Sequence, residues 1–493
     1  MSTLESYFEP FRKNTIGNKL SFKTPFGVKE MIYADWIASG RLYLPIEMRI
    51  IEEIGPYVGN THTETSETGT LMTKAYHLAH KKIKQHVNAC SQDVIITAGS
   101  GMTTVVNKLQ RIMGLKSCGV LKKGKCIQNQ QDRPVVFLTH MEHHSNHTSW
   151  IETNVDVVVL KPNKDLRVDL DELRNQLEIH KERPFKIGAF TACSNVTGIE
   201  TPYHEMARIM HEYGGVAFID FAASAPYVDI DMHPADDEMK KLDAIYFSPH
   251  KFLGGPGSSG VMVFDSSLYK NETPDHPGGG TVDWTNPWGE YKYLDDIELR
   301  EDGGTPGFLQ AIRTALAIEV KNQMTTKKMR AREHELVQKA FKAFREIKGV
   351  HILADNIEER LGVFSFFILN VHFNLVVKLM NDRFGIQVRG GCACAGTYGH
   401  FLLDVSHDKS REITDMINSG DLSQKPGWIR ASLHPTMTND ELDQLIEAVK
   451  QISLHAEEWE KDYVYNRYTN EFRHKSEPED KTIWVEKWFD LSE

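Results

Sequence analysis

The chain is poor in cysteine, with six in 493 residues, which excludes a disulfide-stapled secreted scaffold. Free thiols in so long a chain point to a reducing cytoplasm, where they stay available for chemistry. No apolar run reaches the length of a membrane-spanning helix, so no membrane association is expected. Residues Met1 to Lys19 are mixed polar and aromatic, with Glu5 and Glu9 early, and lack the apolar centre of a signal peptide. Positive charge is in deficit. The 57 Lys and Arg against 68 Asp and Glu leave a net charge of −11, which argues against nucleic acid as a partner but allows a local basic pocket. What is present is an ordinary globular composition, 40% hydrophobic and 25% charged, over a length that implies about two or three domains.

Along the chain, residues 1–30 read as an N-terminal arm, 31–310 as a large domain and 311–456 as a linking helix with a smaller C-terminal domain. Residues 457–493 form a charged, aromatic tail without a readable role. Residues 115–133, rich in Lys, Gly and Gln and carrying Cys118 and Cys126, read as a surface insertion. Short apolar strands are expected at Val94–Thr97, Val135–Thr139, Asp156–Leu160, Lys186–Thr191, Val216–Asp220, Asp243–Phe247 and Gly260–Phe264. Helical patterns separate several of them, notably Leu170–His180 and Tyr203–Tyr213. This alternation predicts an α/β fold with a mostly parallel seven-stranded sheet covered by helices. Ile46–Val58 and Leu71–Asn88 have helical spacing. One long helix is expected from Gly307 to about Ile347, then strands at Gly362–Val371 and Ile386–Arg389, and a helix at Glu441–Ala456.

Several residues sit where an open α/β sheet places ligand groups, at strand ends. Together they match what a pyridoxal 5'-phosphate (PLP) site requires. Lys251, in Ser248-Pro249-His250-Lys251, follows a strand by a tight turn and offers an amine for an imine. Ser248 and His250 offer phosphate donors, and the glycine-rich run Gly254–Gly260 lets backbone approach closely. Asp220 ends a very apolar strand, where a carboxylate is costly unless paired. A pyridinium nitrogen is a suitable partner, and helix capping is the alternative. Ser100 and Gly101 lie between a strand and a helix, whose N-terminal N–H groups can bind phosphate. His143, in Met141-Glu142-His143-His144-Ser145-Asn146, offers a ring to stack. A metal site built from His140, His143, His144 and His147 is the rival there, though no carboxylate or thiol is suitably spaced, so no metal is expected. Asn195 offers a hydrogen bond to the cofactor's phenolic oxygen, or simply makes a turn. Arg430 offers a bidentate clamp for a carboxylate. The small-residue loop Arg389–Gly396 carries two thiols, Cys392 and Cys394.

These segments, with Gly304-Thr305-Pro306-Gly307, resemble the class V aminotransferase family from about Tyr33 to Ile452, and within it the cysteine desulfurase and selenocysteine lyase group. The resemblance implies the PLP-dependent transferase fold type I. It makes Lys251 the cofactor lysine, Asp220 the partner of the pyridine nitrogen and His143 the stacking ring, with Lys251 or His143 as the catalytic group that moves the substrate's α-proton. Ser248, His250, Ser100 and Gly101 would hold the phosphate. Thr305 would reach the phosphate of a neighbouring subunit in a homodimer. Cys394 falls at the nucleophilic cysteine, and Arg430, with Ala38, at the substrate side. The implied reaction takes sulfur or selenium from L-cysteine or L-selenocysteine as a Cys394 persulfide, leaving alanine, with a sulfur-acceptor protein to follow. The alternative is a class V aminotransferase, epimerase or β-lyase that does not use Cys394. Three features depart from the family pattern. Ala223 stands where Gln or His is usual, the thiol loop reads Cys-Ala-Cys as in molybdenum-cofactor sulfurases, and the segment from Thr397 to Trp428 is long.

Overall fold

The computed structural model describes residues 3–116, 132–476 and 481–492. The segment read as a surface insertion, 115–133, falls almost wholly outside them. Seven strands build the central sheet: β1 Asp93–Ala98, β2 Val135–Leu138, β3 Asp156–Val159, β4 Lys186–Thr191, β5 Val216–Asp220, β6 Ala244–Phe247 and β7 Gly260–Asp265. Their order is β1-β7-β6-β5-β4-β2-β3. Strand β7 runs antiparallel to both of its neighbours, and the β3-β2-β4-β5-β6 run is parallel. Every residue of β2, β4 and β6 is buried, as expected where helices cover both faces of a parallel sheet. The predicted α/β architecture with a mostly parallel seven-stranded sheet is therefore present.

A second apolar core lies under a four-stranded antiparallel sheet: β8 Val350–Ile352, β9 Val363–Ile368, β10 Arg389–Gly391 and β11 Trp428–Ser432, in the order β8-β9-β11-β10. Helices Phe373–Phe384 and Asn439–Trp459 pack together in this core. The second begins with a capping box between Thr438 and Glu441, which satisfies N–H groups that the first helical turn leaves free.

Several expectations need correction. The helical run after Gly307 is two helices, Phe308–Met324 and Thr326–Glu346, broken at Thr325, whose φ is 56°. A β-branched residue rarely adopts that region, and neither glycine nor proline marks the break. The pattern at Ile46–Val58 is helical only over Leu44–Met48, then widens into a π-turn over Arg49–Ile54 and tightens over Gly55–Tyr57. The expected strand at Ile386–Arg389 divides between two pairings. Ile386–Gln387 joins Ile32–Tyr33 in parallel, whereas Arg389–Gly391 belongs to the four-stranded sheet. The arm contains a helix, Thr3–Lys13, and a hairpin, Ser21–Thr24 with Gly27–Glu30. The tail carries another hairpin, Tyr463–Asn466 with Glu471–His474.

Candidate active site

The C-terminal ends of β1, β2, β4, β5 and β6 open onto a cavity of about 1130 Å³. Its walls include Ala38, His143, Asn195, Asp220, Ser248, His250, Lys251, Cys392, Cys394 and Arg430. Ala223, at the position where the family pattern has Gln or His, also lines it. Thr305 lies elsewhere in its own chain, exposed after Gly303 and Gly304. Helix Phe373–Phe384 and the tail hairpin close the far side, contributing Asn374, Val377, Asn470 and Phe472. Sequence reasoning did not anticipate that wall.

Asp220 is 3% exposed and ends β5. Its Oδ1 accepts the backbone N–H of Ala222 at 2.8 Å; a turn and not a helix follows β5, so Asp220 caps no helix and this bond uses one oxygen. Burial pushes its carboxyl up to about 6, against the opposing pull of the Ala222 N–H and the Lys251 charge. Lys251 follows β6 by a single tight turn, Pro249–Lys251. Burial lowers its ammonium to about 8, although Asp220 works the other way. A substantial fraction of neutral amine near pH 7–8 is what a lysine needs to attack a carbonyl.

His143 precedes helix His144–Ile151, and its Nδ1 accepts the N–H of Ser145 at 3.1 Å. That bond leaves the ring proton on Nε2. Burial, aided by the charge of Lys251, lowers the imidazole to about 3, so the ring is neutral. The helix Met102–Ile112 starts at Gly101, and Ser248 Oγ accepts its first N–H, that of Met102, at 2.9 Å. The His250 Nδ1–H donates to the Ser100 carbonyl at 2.8 Å. A Cβ on Gly101 would sit 3.1 Å from both Ser248 Oγ and His250 Cε1, so the missing side chain keeps this cradle open.

The thiol loop takes an unusual course. Ala393 and Cys394 have φ of 50° and 55°, a left-handed pair that costs roughly 1–2 kcal/mol per residue. Three bonds hold it. Asn195 Nδ2 donates to the Ala393 carbonyl at 2.7 Å, the His144 N–H to the Cys394 carbonyl at 2.8 Å, and the Gly396 N–H to His144 Nε2 at 3.0 Å. Cys394 is thereby presented exposed, while Cys392 is half-buried. The long segment after the loop forms two helices, Gly396–Leu402 and His407–Asn418.

The four histidines weighed as a metal site do not converge on one point. His140 Nε2–H donates to the Leu166 carbonyl, His144 serves the thiol loop, and His147 meets Thr397.

Three groups escaped sequence reasoning. Asp35 forms ion pairs with Arg430 (Nη2 to Oδ1, 3.0 Å) and Arg389 (Nη2 to Oδ2, 3.0 Å). Arg430, 4% exposed, also donates to the Asn195 carbonyl at 3.2 Å. Asp35 and Arg430 are 395 residues apart, so no local pattern announces the pair. Glu142, inside the motif that carries His143, accepts bonds from Thr139, Asn146 and Thr191 and ties the ends of β2 and β4 together. His144, weighed only as a candidate metal ligand, instead braces the thiol loop.

A family model, aminotransferase class V, matches residues 32–445. The chain belongs to that family. Its relatives include a probable cysteine desulfurase of Halalkalibacterium halodurans, 27% identical over 374 residues, covering 74% of this chain and 84% of the relative. Another, from Staphylococcus epidermidis, is 26% identical over 428 residues, covering 86% and 92%. Among solved structures, the apo cysteine desulfurase of Thermococcus onnurineus superposes with a TM-score of 0.70 at 21% identity, over 90% of this chain and 98% of the other. One from Escherichia coli gives 0.67 at 22%, over 86% and 94%. These similarities establish the fold as that of PLP-dependent fold type I.

The cavity's own chemistry fits that cofactor. Asp220 is a buried carboxylate with no ion-pair partner among the described residues, which suits a protonated ring nitrogen. Asn195 Oδ1 and Arg430 Nε are buried without a hydrogen-bond partner, and such atoms call for a polar ligand. The open cradle at Gly101 stands at a helix N-terminus, where phosphate binds well.

Proposed function

We propose that the chain is a cysteine desulfurase, taking sulfur from L-cysteine, or selenium from L-selenocysteine, as a Cys394 persulfide with release of alanine. The observation that carries this reading is an exposed thiol on a strained, braced turn that opens onto the same cavity as Lys251 and Arg430. The relatives named as probable cysteine desulfurases support it.

When bound, pyridoxal phosphate supplies an electron-withdrawing ring next to the substrate's α-carbon. Asp220, ionised above about pH 6, holds a negative charge for the ring nitrogen. Ser248, His250 and the N–H groups opening helix Met102–Ile112 would hold the phosphate. His143 would offer its neutral ring to the face of the cofactor. Its Nδ1 is engaged and its Nε2 already protonated, so proton movement falls to Lys251 Nζ. Arg430 would grip the substrate carboxylate with its guanidinium fork, a donor it shares between that carboxylate and Asp35 Oδ1. The Cys394 thiolate bonds to the substrate sulfur. The carbon–sulfur bond breaks with its electron pair on carbon, and a proton completes the methyl group of alanine.

The exposed position of Thr305, outside the cavity of its own chain, supports a homodimer in which that hydroxyl serves the partner's phosphate. The exposure of Cys394 supports transfer of sulfur to an acceptor protein. Cys90, Cys193, Cys392 and Cys394 are all free thiols, which supports a reducing, cytoplasmic location. No helix among the described residues is long and apolar enough to cross a membrane.

The test is incubation of purified protein with L-cysteine, assaying alanine and sulfide. Cys394→Ala is expected to keep the visible absorption of the bound cofactor and to lose at least 100-fold in alanine formation, the scale of losing a nucleophile. Unchanged turnover in Cys394→Ala would transfer the assignment to an aminotransferase, epimerase or β-lyase.

A further inference from the structure

At the opposite end of β1 from the cavity, three side chains of different chemistry meet. Cys90, Asp93 and His233 each offer one ligand atom, and these atoms all lie within 4.8 Å of one another. We infer that they form a binding site for a divalent cation of the zinc class.

The donors suit that ion. A thiolate, an imidazole and a carboxylate together favour zinc and its transition-metal neighbours over magnesium or calcium, which prefer oxygen alone. Asp93 is the most telling member. Its side chain is 1% exposed. Oδ2 accepts the Cys90 N–H at 2.7 Å and meets His233 Nε2 at 2.6 Å, while Oδ1 is buried without a hydrogen-bond partner. No Lys or Arg forms an ion pair with it among the described residues, where the side chain that meets it is the His233 imidazole. A buried carboxylate oxygen left unpaired is costly, and a cation removes that cost.

The ligands are held in place by bonds that use none of the donor atoms. The Met232 N–H donates to the Val87 carbonyl at 3.0 Å, docking the histidine loop on the segment that carries the cysteine. Asp231 Oδ1 accepts the His233 N–H at 3.0 Å and Asn88 Nδ2–H at 2.7 Å. Such prior fixing reduces the entropy lost on binding. Cys90 is exposed, so a water can complete a four-coordinate shell from solvent. On binding, the Cys90 thiol proton leaves to solvent and the His233 proton moves from Nε2 to Nδ1, with no change of oxidation state. None of the three residues belongs to the cavity, so the inference stands whatever reaction the cavity performs.

The experiment uses the full-length, cofactor-loaded protein carrying Cys392→Ala and Cys394→Ala, so that the cavity thiols do not compete. Zn²⁺ is titrated by calorimetry in buffers of different ionisation heat. One ion per chain should bind with proton release, and excess Mg²⁺ should not displace it. Adding Cys90→Ser, an exposed replacement, should abolish the proton release and weaken binding at least tenfold. His233→Gln should weaken it similarly, with cofactor absorbance kept as the check on folding. Absence of saturable binding, or equal affinity with and without Cys90→Ser, would overturn the site and leave a plain Asp93–His233 pair.

Discussion

Replacing Asp220 with Asn should make the cofactor-free protein more stable, although it disables the site. The carboxyl is 3% exposed and rises from 3.8 to about 6 on burial. A shift of about two units corresponds to roughly 3 kcal/mol by which the ionised form is disfavoured in the folded state. The sign follows from proton binding. Between pH 4 and 6 the folded chain holds a proton that the unfolded chain has released, so this destabilisation grows with pH and is complete above about 6. Asparagine keeps an oxygen for the Ala222 N–H and carries no charge. Cofactor-free Asp220→Asn should therefore exceed the natural chain in unfolding free energy by about 3 kcal/mol at pH 8 and about 1.5 kcal/mol at pH 5. Denaturant unfolding at the two pH values measures this directly. Loaded with cofactor, the order should reverse at pH 8, because the natural carboxylate then gains its partner. An Asn variant less stable than the natural protein in the cofactor-free state, or a difference that does not change with pH, would refute the picture of Asp220 as an unsatisfied buried charge.

The lowered ammonium of Lys251 predicts that cofactor capture, followed by visible absorption after mixing, accelerates as pH rises toward about 8 and then levels off. A rate still climbing steadily to pH 10 would contradict that value. Arg430→Lys keeps a charge but loses the fork shared by Asp35 and the substrate carboxylate. The expected cost is about 3 kcal/mol, near 100-fold in kcat/KM, with cofactor absorbance unchanged. Gly101→Ala places a methyl group 3.1 Å from Ser248 Oγ and His250 Cε1. Ser248 and His250 must give way, so cofactor affinity should fall about tenfold and the cofactor-free protein should lose about 1–2 kcal/mol of stability by overpacking.

Much of the site was legible because each cofactor contact sits within a few residues of a strand end. The strands of a covered parallel sheet read as solid apolar runs, so Asp220 and Lys251 stood out as polar residues that closed such runs. What stayed hidden depends on long-range packing. Asp35 meets Arg430 across 395 residues, and the cavity wall of Asn470 and Phe472 comes from a tail whose alternation was too short to identify as a hairpin. The break at Thr325 was invisible for a different reason. Both flanking segments favour helix, and only the packing of each against its own core turns the chain there.

The parallel pairing of Ile32–Tyr33 with Ile386–Gln387 has a consequence for how the chain is made. It closes a loop of about 350 residues, a contact whose entropy cost must be met before it returns anything. The seven sheet strands, by contrast, all lie between Asp93 and Asp265. During synthesis that continuous stretch can assemble while later residues are still emerging, as domains generally do. Residues 32–35 must wait for these distant partners until Gln387, and then Arg430, have left the ribosome. The wall of the cavity built by Gly101, Asp220, Ser248 and Lys251 therefore forms before the Asp35–Arg430 pair that completes it.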